Sequence, residues 1–332
     1  MRDSSHTSAV QGAELAVRIA NKTGGMNGRP FQLVVRSMEG PWGTGSKQAV
    51  NLIFEERVWA LLGSHDGRNA HLVEQAATKA TVVFVSAWAA DPTLSQAFVP
   101  WFFNCVPNDM QQADALIEEI YNTRKINKTA VISENDYDSK QALKNFLKKT
   151  RLEGKADPME LLYENFSENL NGLIDQINKT DIGCIILFCR PLTSLKIIRQ
   201  IRLRKMDKPV FGSLYILNEN ELSDPGLQNF NNFMFVASGK WSYSKDSVFI
   251  QEYQRAYGNL PGAVAAYAWD GMNLLIEAIR KAGVPDREKI QKSLQNIHYN
   301  GVTGLIRFDD KGNRIGNFKV TGIKNRLPAA IE

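Results

Sequence analysis

Val58-Trp59-Ala60-Leu61-Leu62-Gly63-Ser64-His65-Asp66-Gly67-Arg68-Asn69 and, one helix later, Val82-Val83-Phe84-Val85-Ser86-Ala87-Trp88-Ala89-Ala90 decide the fold of this chain. Residues 58–62 are an unbroken apolar run, the mark of a strand covered on both faces of a parallel sheet. Between the two runs, Leu72, Val73, Ala76, Ala77 and Ala80 recur at the spacing of one helical face. Both runs stop in small, polar loops on the same sheet edge. Open α/β sheets bind ligands at that edge, because helix N-termini point free backbone N–H groups into it.

The alternation extends in both directions. Spacing predicts helices over Ala9–Thr23, closed by the glycine stop Gly24-Gly25, and over Ser46–Arg57, with a strand over Phe31–Arg36 between them. Trp101–Val106 reads as a further short strand. From Ala113 the pattern restarts. Helices Ala113–Asn122, Ser139–Glu153, Leu170–Lys179 and Leu192–Lys205 alternate with strands Thr129–Ser133, Leu161–Tyr163, Cys184–Cys189, Pro209–Ser213 and Phe233–Ala237. A helical turn is expected near Glu219–Ser223, then helices Ser247–Tyr257, Ala263–Ala282 and Asp286–Asn296. Leu305–Phe308 and Asn317–Ile323 read as a β-hairpin around Asp310-Lys311-Gly312-Asn313.

The fold class is therefore α/β, two doubly wound parallel-sheet lobes joined by a hinge that the chain crosses more than once. Residues 1–112 plus 240–300 are expected to form the first ligand-binding lobe, and 113–239 plus 301–332 the second. A cleft between such lobes is a standard ligand position and supports hinge closure. One place in the pattern is unfilled. A doubly wound lobe opens with a mid-sheet strand before its first helix, yet Met1–Thr7 contains no apolar run. Either another segment fills the place of that strand or, as is expected, the first strand of the first lobe is missing, by truncation. That would leave ladder hydrogen bonds unmade, a large cost against a total stability of about 5–15 kcal/mol.

Composition bounds the function. The 332 residues are 43% hydrophobic and 23% charged, as in an ordinary globular protein. No apolar stretch approaches a membrane span. The net charge of +5 comes largely from Lys140–Arg151 and Arg199–Lys208, both inside helical patterns, so solvated helix faces account for it and no nucleic-acid partner is expected. Cys105, Cys184 and Cys189 lie in or beside apolar runs without zinc spacing. Residues 1–10 lack the pattern of a signal peptide. Gly40–Lys47 is glycine-rich but lacks Gly-Lys-Ser/Thr and follows an edge strand, and neither a nucleophile elbow nor a dinucleotide loop is legible. No enzyme, cofactor or metal site is expected. His65 and His71 stand six residues apart, a spacing that does not put both on one helix face.

Gly12-Ala13-Glu14-Leu15-Ala16, Ile19-Ala20-Asn21, Gly24-Gly25-Met26-Asn27-Gly28-Arg29-Pro30-Phe31-Gln32-Leu33, Tyr267-Ala268-Trp269-Asp270-Gly271 and Gly304–Gly312 together resemble the branched-chain amino acid-binding proteins of ABC importers. The resemblance runs from about residue 8 to 323 and implies a type I periplasmic solute-binding fold with a closing cleft. It also implies a periplasmic or membrane-anchored extracytoplasmic location, a membrane permease as partner, and a chain that is a monomer or weak dimer. In that family a hydroxyl and backbone N–H groups hold the ligand carboxylate, a second-lobe aromatic caps it, and an acidic residue pairs with the ammonium. Carried over, these roles fall on Ser64–Arg68, on Ser86–Ala90 and on Tyr137, then on Arg190 and Leu214 with Tyr215 adjacent. The chain departs from the pattern at Ala90, where the hydroxyl is usual, at Leu214, where the carboxylate is usual, and at Arg190, where an aromatic is usual.

The residues themselves point the same way. Ser64, His65, Asp66 and Gly67 can offer N–H groups and side chains at a helix start, or simply cap it. Ser86, Ala87, Trp88 and Ala89 form the second loop, with the indole as a wall for the ligand or a plug in the lobe. Tyr137 follows a strand end and precedes a helix. Arg190 precedes Pro191 and can grip a carboxylate bidentately or form a salt bridge. The expected function is capture of a small polar or anionic organic molecule, amino acid-like or carboxylate, for an ABC transporter. A ligand-sensing receptor ectodomain of the same fold is the alternative.

Overall fold

The computed structural model describes residues 7–39, 43–63, 66–96, 100–164, 169–218, 230, 232–237, 247–324 and 327–329. Two compact units result, residues 1–108 with 239–316, and residues 109–238 with 317–332. Elements are numbered along the chain.

In the first unit a parallel sheet runs in the order β1 (Ala60–Gly63), β2 (Val83–Ser86), β3 (Phe102–Asn104). Leu62 lies opposite Val85, and Val85 opposite Phe103. Successive side chains point to opposite faces, and both faces are covered. On one face α2 (Thr44–Val50, prolonged by a π-helical turn over Asn51–Glu55) and α3 (Gly67–Lys79) pack Ala49, Ile53, Ala70, Val73 and Ala77 against Leu61, Phe84 and Phe102. On the other, α9 (Ala263–Ala282) approaches so closely that a Cβ on Gly271 would crowd Leu62 and Val85.

Helix α1 (Thr7–Lys22) lies on α9 with equal intimacy, since a Cβ on Gly12 would overlap the Ala265 carbonyl oxygen. Backbone cannot yield as a side-chain tip can. Gly12→Ala should therefore separate the two helices and cost about 1–3 kcal/mol, measured by urea denaturation. Helix α8 (Val248–Tyr257) ties in through the Tyr253 hydroxyl, which donates to Gln11 Oε1 at 2.6 Å. Helix α10 (Arg287–Gln295) completes the unit, with Gln291 Nε2 donating to the Pro100 carbonyl at 2.7 Å.

Two sequence expectations fail in this unit. Phe31–Arg36 was expected as a strand, but residues 30–39 have no ladder partner among the described residues. The hairpin expected between Leu305–Phe308 and Asn317–Ile323 does not form. Instead β9 (Tyr299–Gly301) pairs antiparallel with β10 (Gly304–Ile306), and only a bridge between Phe308 and Arg314 closes the turn. Residues 301–316 thus belong with the first unit, not with the second as expected. The physical reason is Arg314, buried at 1% exposure and hydrogen-bonded to Cys105 and Thr303.

In the second unit one sheet runs β12-β11-β8-β7-β6-β4-β5, with β4 (Thr129–Glu134), β5 (Met159–Tyr163), β6 (Cys184–Phe188), β7 (Val210–Gly212) and β8 (Phe233–Ala237) parallel. Strand β11 (Lys319–Lys324) joins antiparallel to β8, and β12 (Leu327–Ala329) to β11. Val320 lies opposite Val236, the pairing that takes this segment away from the expected hairpin. Helices α4 (Asp109–Ile117) and α5 (Tyr137–Leu152) cover one face with Leu116, Ile117, Ala142 and Phe146 on Val131, Ile186 and Phe211. Helices α6 (Asn169–Lys179) and α7 (Pro191–Leu203) follow β5 and β6. Helices α4 and α5 start before the apolar period does, because their first turns are polar, and Asp136 caps that of α5. The turn expected near Glu219–Ser223 lies outside the described residues; a 3-10 turn occupies Leu214–Leu217.

Candidate functional site

The order β5-β4-β6-β7-β8 places the first strand of the series between the second and third. Connections leave β4 and β6 in opposite directions, so a crevice opens at their C-terminal ends. Three of the expected residues stand at this edge. Tyr137 is the first residue of α5, Arg190 is the N-cap of α7 just after β6, and Tyr215 lies in the turn after β7. Tyr137 and Tyr215 are half-buried.

Arg190 has a partner that sequence reading missed. Glu134 ends β4 with its side chain only 4% exposed, and it accepts from the Arg190 backbone N–H at 2.6 Å. It also accepts from Arg190 Nη2 at 3.2 Å and from Thr193 Oγ1 at 2.7 Å. These bonds lock the start of α7 onto the end of β4, and Pro191 suits the first turn because no N–H is needed there. The guanidinium keeps 44% exposure, so it faces solvent at the crevice while tethered from behind. Next to it, Asp136 caps α5 by accepting from the Ser139 N–H at 3.0 Å. Asp136 Oδ2 and Ser139 Oγ are buried without a hydrogen-bond partner among the described residues.

The first unit carries its own strand-end edge. Gly63 and Ser86 are opposite one another at the ends of β1 and β2. Ser64 and His65, expected to bind ligand, lie outside the described residues. Asp66 caps α3, accepting from the Asn69 N–H at 2.7 Å and from Asn69 Nδ2 at 2.8 Å, and Gly67 is the first, buried residue of the helix. Ser86 is fully buried, yet its hydroxyl has no partner among the described residues; the indole N–H of Trp88 is in the same state. The Trp88 ring packs edge-on against Tyr267 at 5.9 Å. Ala87 is buried beneath Gly271. Ala89 is spent on packing in the α3 layer, and its carbonyl accepts from Asn104 Nδ2. Among the described side chains of this loop, Ser86 and Trp88 hold unspent polar capacity.

A second network here joins residues far apart in sequence. His71 Nε2 lies 3.1 Å from Asp91 Oδ2 and 3.0 Å from Thr93 Oγ1. The hydrogen bond to Asp91 raises the His71 pKa, partial burial opposes it, and the charges of Asp91 and Glu74 add to the rise. A raised folded-state value means stabilisation that is complete below the ordinary histidine range and fades as pH climbs through the folded value. Between pH 6 and 8 the wild-type melting temperature should fall relative to His71→Gln, as read by calorimetry at matched ionic strength.

All three thiols are buried, and burial pushes Cys184 up to about 12 and Cys189 well above its ordinary value. Among the described residues no group of His, Cys, Asp and Glu could hold a metal ion, and no helix is long and apolar enough to cross a membrane.

Comparison with known proteins follows this geometry. A family model described as "Periplasmic binding protein" matches residues 2–325. The branched-chain amino acid transporter substrate-binding protein LivJ of Streptococcus pneumoniae, solved with isoleucine, superposes at a TM-score of 0.83 and 21% identity, covering 98% of this chain and 93% of that one. The leucine-binding protein LivK of Thermotoga maritima gives 0.83 at 18% identity, over 100% and 95% of the two chains. A solute-binding protein of an R. palustris ABC transporter, solved with benzoate, gives 0.81 at 16%, over 97% and 90%. Among curated proteins, none matches significantly.

Proposed function

The chain belongs to the periplasmic binding protein family, and from that premise we propose that it captures a small carboxylate-bearing solute outside the cytoplasmic membrane and delivers it to an ABC permease. The observation that carries the carboxylate is the pair of buried donors at the end of β2, the Ser86 hydroxyl and the Trp88 indole N–H, beside the N-terminus of α3. Buried donors without acceptors cost free energy, and an anion at a helix N-terminus satisfies them. In the second unit Arg190, half-exposed at the switch point, offers a cation of the kind that holds a carboxylate. Isoleucine and benzoate, bound by two of the similar proteins, share only the carboxylate as a charged group of one sign. No bond of the solute is made or broken.

The test is a thermal-shift comparison of acids with their amides: benzoate with benzamide, leucine with leucinamide. A binding acid at 100 times its Kd stabilises by about 2.7 kcal/mol, whereas its amide should not. Ser86→Ala should weaken the acid without lowering the unliganded melting temperature. Equal stabilisation by acid and amide, or consumption of the solute, would overturn the reading.

A further inference from the structure

The first unit contains a gap with the shape of a strand. A cavity of about 1430 Å³ lies between residues 30–39 on one side and Trp59–Gly63 on the other. Ala13 and Val17 of α1 and Ala268 and Met272 of α9 close one face, and Leu52 stands among the residues that close the rest. This exceeds the roughly 300–1,000 Å³ of small-molecule pockets. Both long walls are backbone with unmade bonds. No amide from Gln32 to Met38 makes a hydrogen bond among the described residues, and β1 has a ladder partner only on its β2 side.

The second unit shows what such a gap holds. There β4 lies between β5 and β6, in register along five residues on each side and buried throughout. The elements that follow it are α5, β5, α6, β6, α7 and β7. In the first unit α1, residues 30–39, α2, β1, α3 and β2 follow in the same succession. The gap stands where β4 stands.

We propose that this gap is a strand-acceptor site, which takes one extended polypeptide segment of about six residues, parallel to β1 and apolar on both faces. Main-chain bonds to both walls supply affinity, and the apolar linings above and below select alternate side chains. Asp66, Asn69, Ala87 and Trp88 also line the strand-end mouth of the cavity, but the inference rests on the two unpaired backbone walls and holds whatever solute those loops bind.

The probe is the peptide acetyl-KVAVIGVK-amide, added to the intact chain and followed by hydrogen exchange of residues 30–39 and 58–63. At 100 times its Kd it should slow exchange of the Gln32–Met38 and Ala60–Gly63 amides about 100-fold. A twin N-methylated at alternate residues keeps the side chains but loses the ladder donors, and it should leave exchange unchanged. Octanoate tests a small apolar occupant. Equal protection by the twin or by octanoate, or none by the peptide, overturns the proposal.

Discussion

Arg314→Met is expected to lower the unfolding free energy of the first unit by about 3–5 kcal/mol, as for removing one partner of a buried charged network. Arg314 Nη1 donates to the Cys105 carbonyl at 2.7 Å and to Thr303 Oγ1 at 3.1 Å. Its Nη2 donates to the carbonyls of Thr303 at 2.7 Å and Leu305 at 3.1 Å. Thr303 Oγ1 in turn donates to Asp270 Oδ2 at 2.6 Å, and the carboxylate also accepts from the Thr303 N–H at 2.8 Å and the Val302 N–H at 3.0 Å. A side chain on Gly301 would collide with that carboxylate, so the backbone hugs it only because the residue is glycine.

The deficit should depend on pH. Burial pushes Asp270 up to about 6 from an ordinary 3.8, against the bonds from Thr303 and Val302 and the charge of Arg314. A carboxyl with a raised folded-state value binds more protons folded than unfolded, so its contribution improves as pH falls from 6 towards 4. The carbonyl bonds are lost at every pH, but the lost charge interaction penalises only the ionised form of Asp270. The gap between wild type and Arg314→Met should therefore be widest at pH 8 and narrower at pH 5, measured by urea denaturation at both.

The second large effect is expected at Glu134. Glu134→Ala deletes the acceptor of three hydrogen bonds, two of them from Arg190, and should cost about 2–3 kcal/mol. The loss stays below that of a fully buried pair because Arg190 can turn to solvent. Glu134→Gln keeps an oxygen for the Arg190 N–H and should cost about half as much. A double-mutant cycle with Arg190→Ala should show coupling, since the pair is in direct contact. Additive losses would mean that the guanidinium contributes nothing to holding α7.

What was legible in the sequence follows from how local each signal is. The runs at 58–62, 82–85 and 184–188 announce their strands because burial on both faces demands unbroken apolar residues. Phe31–Arg36 is just as strand-like in sequence, yet stays unpaired, because pairing depends on neighbours. The tail misled for the same reason. Asp310–Asn313 is turn-like, but whether its flanks pair with each other is settled by Arg314 and by β8, both invisible to local patterning. In the candidate site, loops after strand ends could be read directly, and Tyr137, Arg190 and Tyr215 do stand at one sheet edge. Glu134 falls one residue past the strand expected over Thr129–Ser133 and its partner is 56 residues away, so local pattern gives it no role, and His71 and Asp91 are likewise joined only by folding.

The interleaved boundaries at residues 108, 238 and 316 have a consequence for biosynthesis. As the polypeptide leaves the ribosome, Leu62 and Val85 emerge long before Gly271, the residue that must lie over them. The half begun first is thus finished late, while β4 to β8 can assemble from one uninterrupted stretch. Nascent molecules should pass through a stage with that early apolar face uncovered, which makes it the natural target for a chaperone.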